Sequence, residues 1–212
     1  MTKKEINELD LAKIWDVKYK TGSYPWMGQS IPTQILKEFI NKFNKDDLIL
    51  DYACGDGYFS KILQNADLKI IGADISKEAL KLAKQNSPQT KFYQVSNPIS
   101  LKEKHKFKGI FAWGILHHIE KEQWRNYIKT FNELLEPKGY MFIGGHTKEN
   151  KQFEKGYRIS KTTGITSHAL DELPTLCEQE GFTLKNTGVF DFQEKTNNHA
   201  IIKLKYFLMQ KK

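Results

Sequence analysis

The polar stretch EKTNN, residues 194–198, joins two strand-like segments near the end of the chain, TLKNTGVFDF and HAIIKLKYFLMQ. So short a connection allows only an antiparallel hairpin, because a parallel return needs a crossover of about a dozen residues or more. Upstream the pattern is different. The apolar segments DLIL (47–50), LKIIGAD (68–74), KFYQV (91–95), GIFAWGI (109–115) and YMFIGG (140–145) read as strands. Helical segments separate most of them: GYFSKILQNA, SKEALKLAKQ and KEQWRNYIKTFNELLE. Strand–helix alternation predicts a parallel sheet with right-handed crossovers. The expected fold is therefore α/β and Rossmann-like: a seven-stranded sheet flanked by helices, whose last strand runs antiparallel.

Local signals support these segments. Ser76 is an expected N-cap, with Glu78 in the first turn. Trp124, Ile128, Phe131 and Leu135 fall on one helical stripe, which Pro137 and Gly139 end. LDELPTLCEQE reads as a helix closed by Gly181. Before the alternation, residues 5–20 read as a helix with Ile6, Leu9, Ile14 and Trp15 as apolar contacts. Residues 33–43 read as a second, with Ile35, Leu36, Phe39, Ile40 and Phe43 on one face. The loop TGSYPWMGQSIP lies between them. The 212 residues suit one domain: a helical or lid-like segment over 1–44 and the α/β core over 45–212.

The composition excludes several classes. With 39% hydrophobic and 27% charged residues, the chain is globular. Two cysteines, Cys54 and Cys177, make neither a disulfide framework nor a zinc site and fit a reducing cytoplasm. No metal is expected. The N-terminus MTKKEINELD has no apolar signal-peptide core, and no apolar run approaches a membrane span. The net charge of +8 permits an anionic partner, but the lysines are scattered, as on a solvated basic surface.

The turn after the first strand, DYACGDGYFS (51–60), carries the chemistry. A P-loop would need G-x-x-x-x-G-K-[ST], which is absent here. A dinucleotide fingerprint needs G-x-G-x-x-G, and Ser60 stands in place of the third glycine. Asp51 and Asp56 would crowd a pyrophosphate at the helix start. The acids suit a phosphate-free ligand with a cationic and a hydroxylated part. Asp74, 23 residues after Asp51 at the end of the second strand, is spaced to accept ribose hydroxyls.

DYACGDG, followed by IIGADIS and FAWGILHHIEKEQW…LLEPKGYMFIGG, resembles the class I S-adenosylmethionine-dependent methyltransferases over roughly residues 45–212. The stretch WDVKYKTGSYPWMGQSIP is similar to the segment before the fold in thiopurine, thiol and tellurite-resistance methyltransferases, with Met27 where they carry Asp. The resemblance implies S-adenosylmethionine as cofactor. Asp51, Ala53, Gly55 and Gly57 would line its methionine end. Asp74 would take the ribose hydroxyls, Ile75 the adenine face and Asn97 the adenine amino group. Trp113 and Trp26 are candidates for contact with the sulfonium or a lid.

Methyl transfer needs alignment of the acceptor and exclusion of water, and a base only where the acceptor must lose a proton. His117 and His118, at the C-terminal edge of the fourth strand, are candidate bases. The alternative is that one ring packs and the other caps. Tyr24 in the N-terminal loop, and His146, Tyr157, Arg158 and His168 in the polar connection 145–168, are candidate acceptor contacts. A solvated loop is the alternative for that connection. The leading function is methyl transfer to a small molecule in the cytoplasm. The alternatives are a nucleic-acid methyltransferase, a nicotinamide oxidoreductase and a non-catalytic cofactor-binding regulator.

Overall fold

The computed structural model describes residues 8–24, 31–102, 105–160, 165–193 and 201–212. Two helices come first, α1 (Glu8–Thr21) and α2 (Thr33–Ile40). The alternation follows: β1 (Leu48–Tyr52), α3 (Tyr58–Gln64), β2 (Lys69–Asp74), α4 (Lys77–Asn86), β3 (Lys91–Gln94), β4 (Phe107–Trp113), α5 (Lys121–Leu134) and β5 (Leu135–His146). Two short strands, β6 (Tyr157–Ile159) and β7 (Thr166–His168), precede α6 (Leu173–Gln179). The chain closes with β8 (Phe182–Gln193) and β9 (Ile201–Lys211).

Seven strands form one sheet in the order β3–β2–β1–β4–β5–β9–β8. The pairs β1–β2, β1–β4, β2–β3 and β4–β5 are parallel. β9 inserts antiparallel between β5 and β8, with Ile143 opposite Phe207 on one side and Thr187 opposite Phe207 on the other. The short connection thus produces the expected hairpin, with β9, the last strand, as the antiparallel one.

Both faces of the sheet are covered, which is why its strands are nearly continuous apolar runs. Adjacent residues of β1 point to opposite sides, Ile49 into one core and Leu50 into the other. On the Leu50 side, α5 packs Trp124, Ile128 and Phe131 against Ile110, Ile143 and Phe207. On the Ile49 side, Leu36 and Phe39 of α2 and Leu63 of α3 meet Phe111, Phe142 and Tyr206. There the rings of Phe111 and Phe142 stack at 5.3 Å, and Tyr206 continues the column at 5.6 Å from Phe142.

Three local expectations are refined. The helix expected over 33–43 stops at Ile40, yet Phe43 still packs edge-on against Phe39 at 4.8 Å. Pro137 and Gly139 do not separate α5 from a later strand. β5 begins at Leu135, and the pairing with β4 jumps from Phe107–Leu135 to Gly109–Tyr140 across an excursion with Lys138 at φ 62°. The connection after β5 is not a bare loop, since β6 and β7 pair in it as an antiparallel hairpin. Ser76 caps α4 as expected, its hydroxyl accepting the Ala79 N–H at 3.1 Å.

Phe142 is fully buried at the centre of the ring column. Phe142→Ala is expected to cost about 3–5 kcal/mol. Urea unfolding should show this as a lower midpoint with an unchanged slope.

Candidate functional site

The C-terminal ends of β1 and β2 put Asp51 and Asp74 on neighbouring strands, Asp51 opposite Gly72 and Asp74 two residues beyond. Both carboxyls are buried. Asp51 Oδ2 accepts the Ser60 hydroxyl at 2.6 Å. Burial pushes the Asp51 carboxyl up to about 7, with the negative charges of Asp74 and Asp56 adding and the Ser60 hydrogen bond opposing. Asp74 accepts backbone N–H groups from Gly55 at 2.9 Å and Ser76 at 2.8 Å. Burial raises it to about 6, the backbone donors opposing. A carboxylate offers about four lone-pair sites, so Asp74 keeps acceptor capacity beyond these two bonds.

The turn between the acids is left-handed at three positions: Ala53 (φ 59°), Gly55 (φ 55°) and Gly57 (φ 77°). Ala53 bears a strain of about 1 kcal/mol there, a larger cost than its small side chain suggested in the sequence. A Cβ at position 57 would lie 2.9 Å from the Ala83 backbone, and one at position 55 would strike the Tyr19 hydroxyl. Gly57 therefore lets α3 approach α4, and Gly55 lets the turn lie against a phenol.

That phenol belongs to α1, which is docked over the turn. Asp16 Oδ1 accepts the Ser76 hydroxyl at 2.6 Å and the Glu78 N–H at 3.1 Å. Tyr19 packs on Tyr24 with ring centres 4.7 Å apart, and the Tyr24 hydroxyl donates to Asp56 Oδ2 at 3.2 Å. Burial and the Asp56 charge push the Tyr24 hydroxyl up to about 12. Tyr24 thus faces the glycine turn, on the side expected for the cofactor rather than the acceptor.

At the ends of β4 and β5 the histidines gather. His117 Nε2 and His118 Nε2 are 2.9 Å apart, sharing a hydrogen. The His117 and His146 rings meet at 4.5 Å, and His146 stacks on Phe153 at 4.5 Å. His118 Nδ1 lies 3.2 Å from the Ser167 hydroxyl, and its ring lies 5.3 Å from Trp15 of α1. His168 Nε2 is 3.3 Å from Glu120. Burial drives the imidazoles toward the neutral form, to about 3 for His118 and about 4 for His146, and His117 well below its ordinary value. Neutral rings can accept protons or hydrogen bonds but bring no charge. Among the described residues no three ligating side chains converge as a metal site.

The other expected residues are placed as follows. The Ile75 carbonyl accepts from Gln94 at 3.2 Å beside Asp74. Asn97 Oδ1 accepts the Ile99 N–H at 3.0 Å, so it caps a short turn. Trp113 is stacked between Phe142 and Phe190, each at 6.0 Å, which commits its ring to packing. Tyr157 and Arg158 lie on the exposed hairpin, with Arg158 donating to Gln152 at 2.8 Å. Trp26 lies outside the described residues. Sequence reasoning missed Asp16, Tyr19 and Ser167, and read Ser60 only as a missing glycine. Only the G-x-G-x-x-S spacing carried any signal of Ser60's bond to Asp51.

The fold agrees with that of known proteins. Residues 28–186 match the family model described as a methyltransferase domain. An uncharacterized methyltransferase of Oceanobacillus iheyensis is 30% identical over 80% of this chain and 76% of its own length. A ubiquinone biosynthesis O-methyltransferase of Pelagibacter ubique is 31% identical over 58% of this chain, which spans 53% of that relative's length. The crystal structure of a methyltransferase from Anabaena variabilis, at 20% identity, shares the fold with a TM-score of 0.79 over all of this chain and 98% of that one. With a domain match over most of its length and a relative covered over most of both chains, the chain belongs to the methyltransferase-domain family.

Proposed function

We propose that this protein transfers a methyl group from S-adenosylmethionine to a small-molecule acceptor in the cytoplasm. The observation that carries the reading is the pair of buried carboxyls, Asp51 and Asp74, closed around a turn with left-handed glycines. Such a cradle fits a ligand with an ammonium and ribose hydroxyls and opposes a pyrophosphate. S-adenosylmethionine supplies, when bound, a methyl carbon already activated by a sulfonium. Gly55 and Gly57 let the backbone approach it, Asp74 accepts the ribose hydroxyls, and Asp51 with Asp56 favours the cationic end. Ile75 and Asn97 border the adenine. Tyr19 and Tyr24, from the α1 side, close the turn against water. The protein's share of the chemistry is alignment and water exclusion. Where the acceptor must shed a proton, His117, His118 and His146 stand at the acceptor end to receive it.

A small acceptor is favoured over a nucleic acid by the way the basic residues are spent. Lys102, Lys108, Lys121, Lys148 and Lys205 each pair with a carboxylate within 3.0 Å. Paired in this way, these five lysines are not free to meet a phosphate backbone. The similarity to a protein named as an O-methyltransferase supports an oxygen acceptor. No helix among the described residues is long and apolar enough to cross a membrane. We take residues 1–212 as one functional unit, with α1 as part of the site.

Calorimetry should show S-adenosylhomocysteine binding to the wild type. Asp74→Asn removes the charge while keeping the shape, and should weaken binding by about tenfold or more, since hydrogen bonds to charged groups contribute about 1.5–3 kcal/mol. Unchanged affinity in Asp74→Asn, or tight NADH binding with none of the homocysteine nucleoside, would overturn the reading.

The raised acids also predict a pH dependence. Without ligand, Asp51 holds its proton to about 7 and Asp74 to about 6. An ammonium-bearing ligand favours their ionised forms, so binding at pH 6–7 should release protons. Affinity should fall as the pH drops through this window, by up to about tenfold per unit for each group that must ionise. Titrations in two buffers of different ionisation enthalpy measure the release. Proton uptake, or a pH-independent affinity, would contradict it.

A further inference from the structure

The glycine turn and the histidine group differ in charge. At the glycine turn stand four acids: Asp16, Asp51, Asp56 and Asp74. At the histidine end the carboxylates are already engaged. Asp171 accepts from Thr147, the Lys148 N–H and Lys205, Glu172 pairs with Lys121 and Lys148, and Glu120 faces His168. The free charge at that end is positive. Lys18 sits one turn along α1 from Trp15, its ammonium 4.4 Å from the centre of the Trp15 ring. The His118 ring also lies close, 5.3 Å from Trp15. Lys18 is partly buried, and among the described residues its ammonium makes no ion pair or hydrogen bond. A half-buried ammonium held only over an aromatic face has lost water without gaining a counter-ion.

We propose that the acceptor is a planar organic anion whose carboxylate pairs with Lys18, with its ring against Trp15 and its reacting group toward His118. The inference rests on the methyltransferase reading above and deepens it by naming the class of acceptor. The charges that surround the histidines agree. Burial chiefly holds the His118 and His146 imidazoles down, with His146 and then Lys18 adding at His118 and Arg158 adding at His146, and Lys18 is itself lowered by burial. An anion seated on Lys18 offsets that part of the effect at His118. The cleft would thus take a cationic donor at its acidic end and an anionic acceptor at its basic end, a complementarity that also sets which partner enters where.

The donor carries a carboxylate too, so the test separates the two sources. Benzoate, salicylate and cinnamate are each compared with the methyl ester for binding to the S-adenosylhomocysteine complex. At least one acid should bind about tenfold or more tightly than its ester. Lys18→Met should abolish that preference, and Lys18→Arg should keep most of it. Both variants should bind S-adenosylhomocysteine within about twofold of the wild type, because the substitution removes only a charge at the other end of the cleft. Esters that bind as well as all the acids, or no binding by any acid, would overturn the proposal. So would a loss of S-adenosylhomocysteine affinity in Lys18→Met, which would assign the ammonium to the donor's carboxylate. Failure of the wild type to bind S-adenosylhomocysteine at all would instead sink the methyltransferase reading itself.

Discussion

The carboxylate of Asp74 ties together the segments that make the site. It accepts one N–H from Gly55, just after β1, and another from Ser76, just after β2. The parallel pairing of β1 and β2, with Tyr52 opposite Ala73, is thereby extended past the ends of the strands into both loops. Ser76 then caps α4 and donates its hydroxyl to Asp16 of α1. One buried acid therefore sets the turn, the start of a helix and the seat of the N-terminal helix. Its burial carries a cost, visible as a carboxyl that resists ionisation, and a cationic, hydroxylated ligand is the partner that offsets it.

Ser60 follows the same logic on the neighbouring strand. In a dinucleotide fold the third glycine permits close packing of helix and strand. Here the position carries a hydroxyl, and that hydroxyl is bonded to Asp51 at 2.6 Å. The departure from the glycine motif and the presence of the acid are one arrangement. A glycine at 60 would leave a buried carboxyl with one donor fewer, and a pyrophosphate would meet its charge.

Much of the fold was legible because it is written in local pattern. Apolar runs, the Ser76 cap and the short EKTNN connection each report on residues a few positions apart, and together they point to a parallel sheet with an antiparallel last strand, while the order of the strands is set by tertiary pairing. The turn acids were legible for the same reason, lying at strand ends beside glycines. What escaped is long-range and polar. Asp16 meets Ser76 and Tyr19 meets Gly55 across long stretches of chain, and no periodicity announces such contacts. Trp113 is the opposite case. Its place at the end of β4 suggested a ligand, but tertiary packing between Phe142 and Phe190 claimed its ring. The hairpin of β6 and β7 was hidden because two three-residue strands carry too few side chains to show an alternation.

Helix α1 links the glycine turn and the histidine group. Asp16 and Tyr19 meet Ser76 and the glycine turn, while Trp15 lies beside His118 with the Lys18 ammonium over its ring. Positions 15, 18 and 19 share a face at helical spacing, so a rotation or lift of α1 moves all of them at once. The helix is seated through Ser76, and Ser76 is in turn held by Asp74. Asp74 and the helix that carries Trp15 and Lys18 are thus joined through Ser76 and Asp16. Under the proposed function, the turn that holds the donor also seats the helix against which the acceptor aligns, and alignment is the larger part of what a methyl transfer asks of its protein.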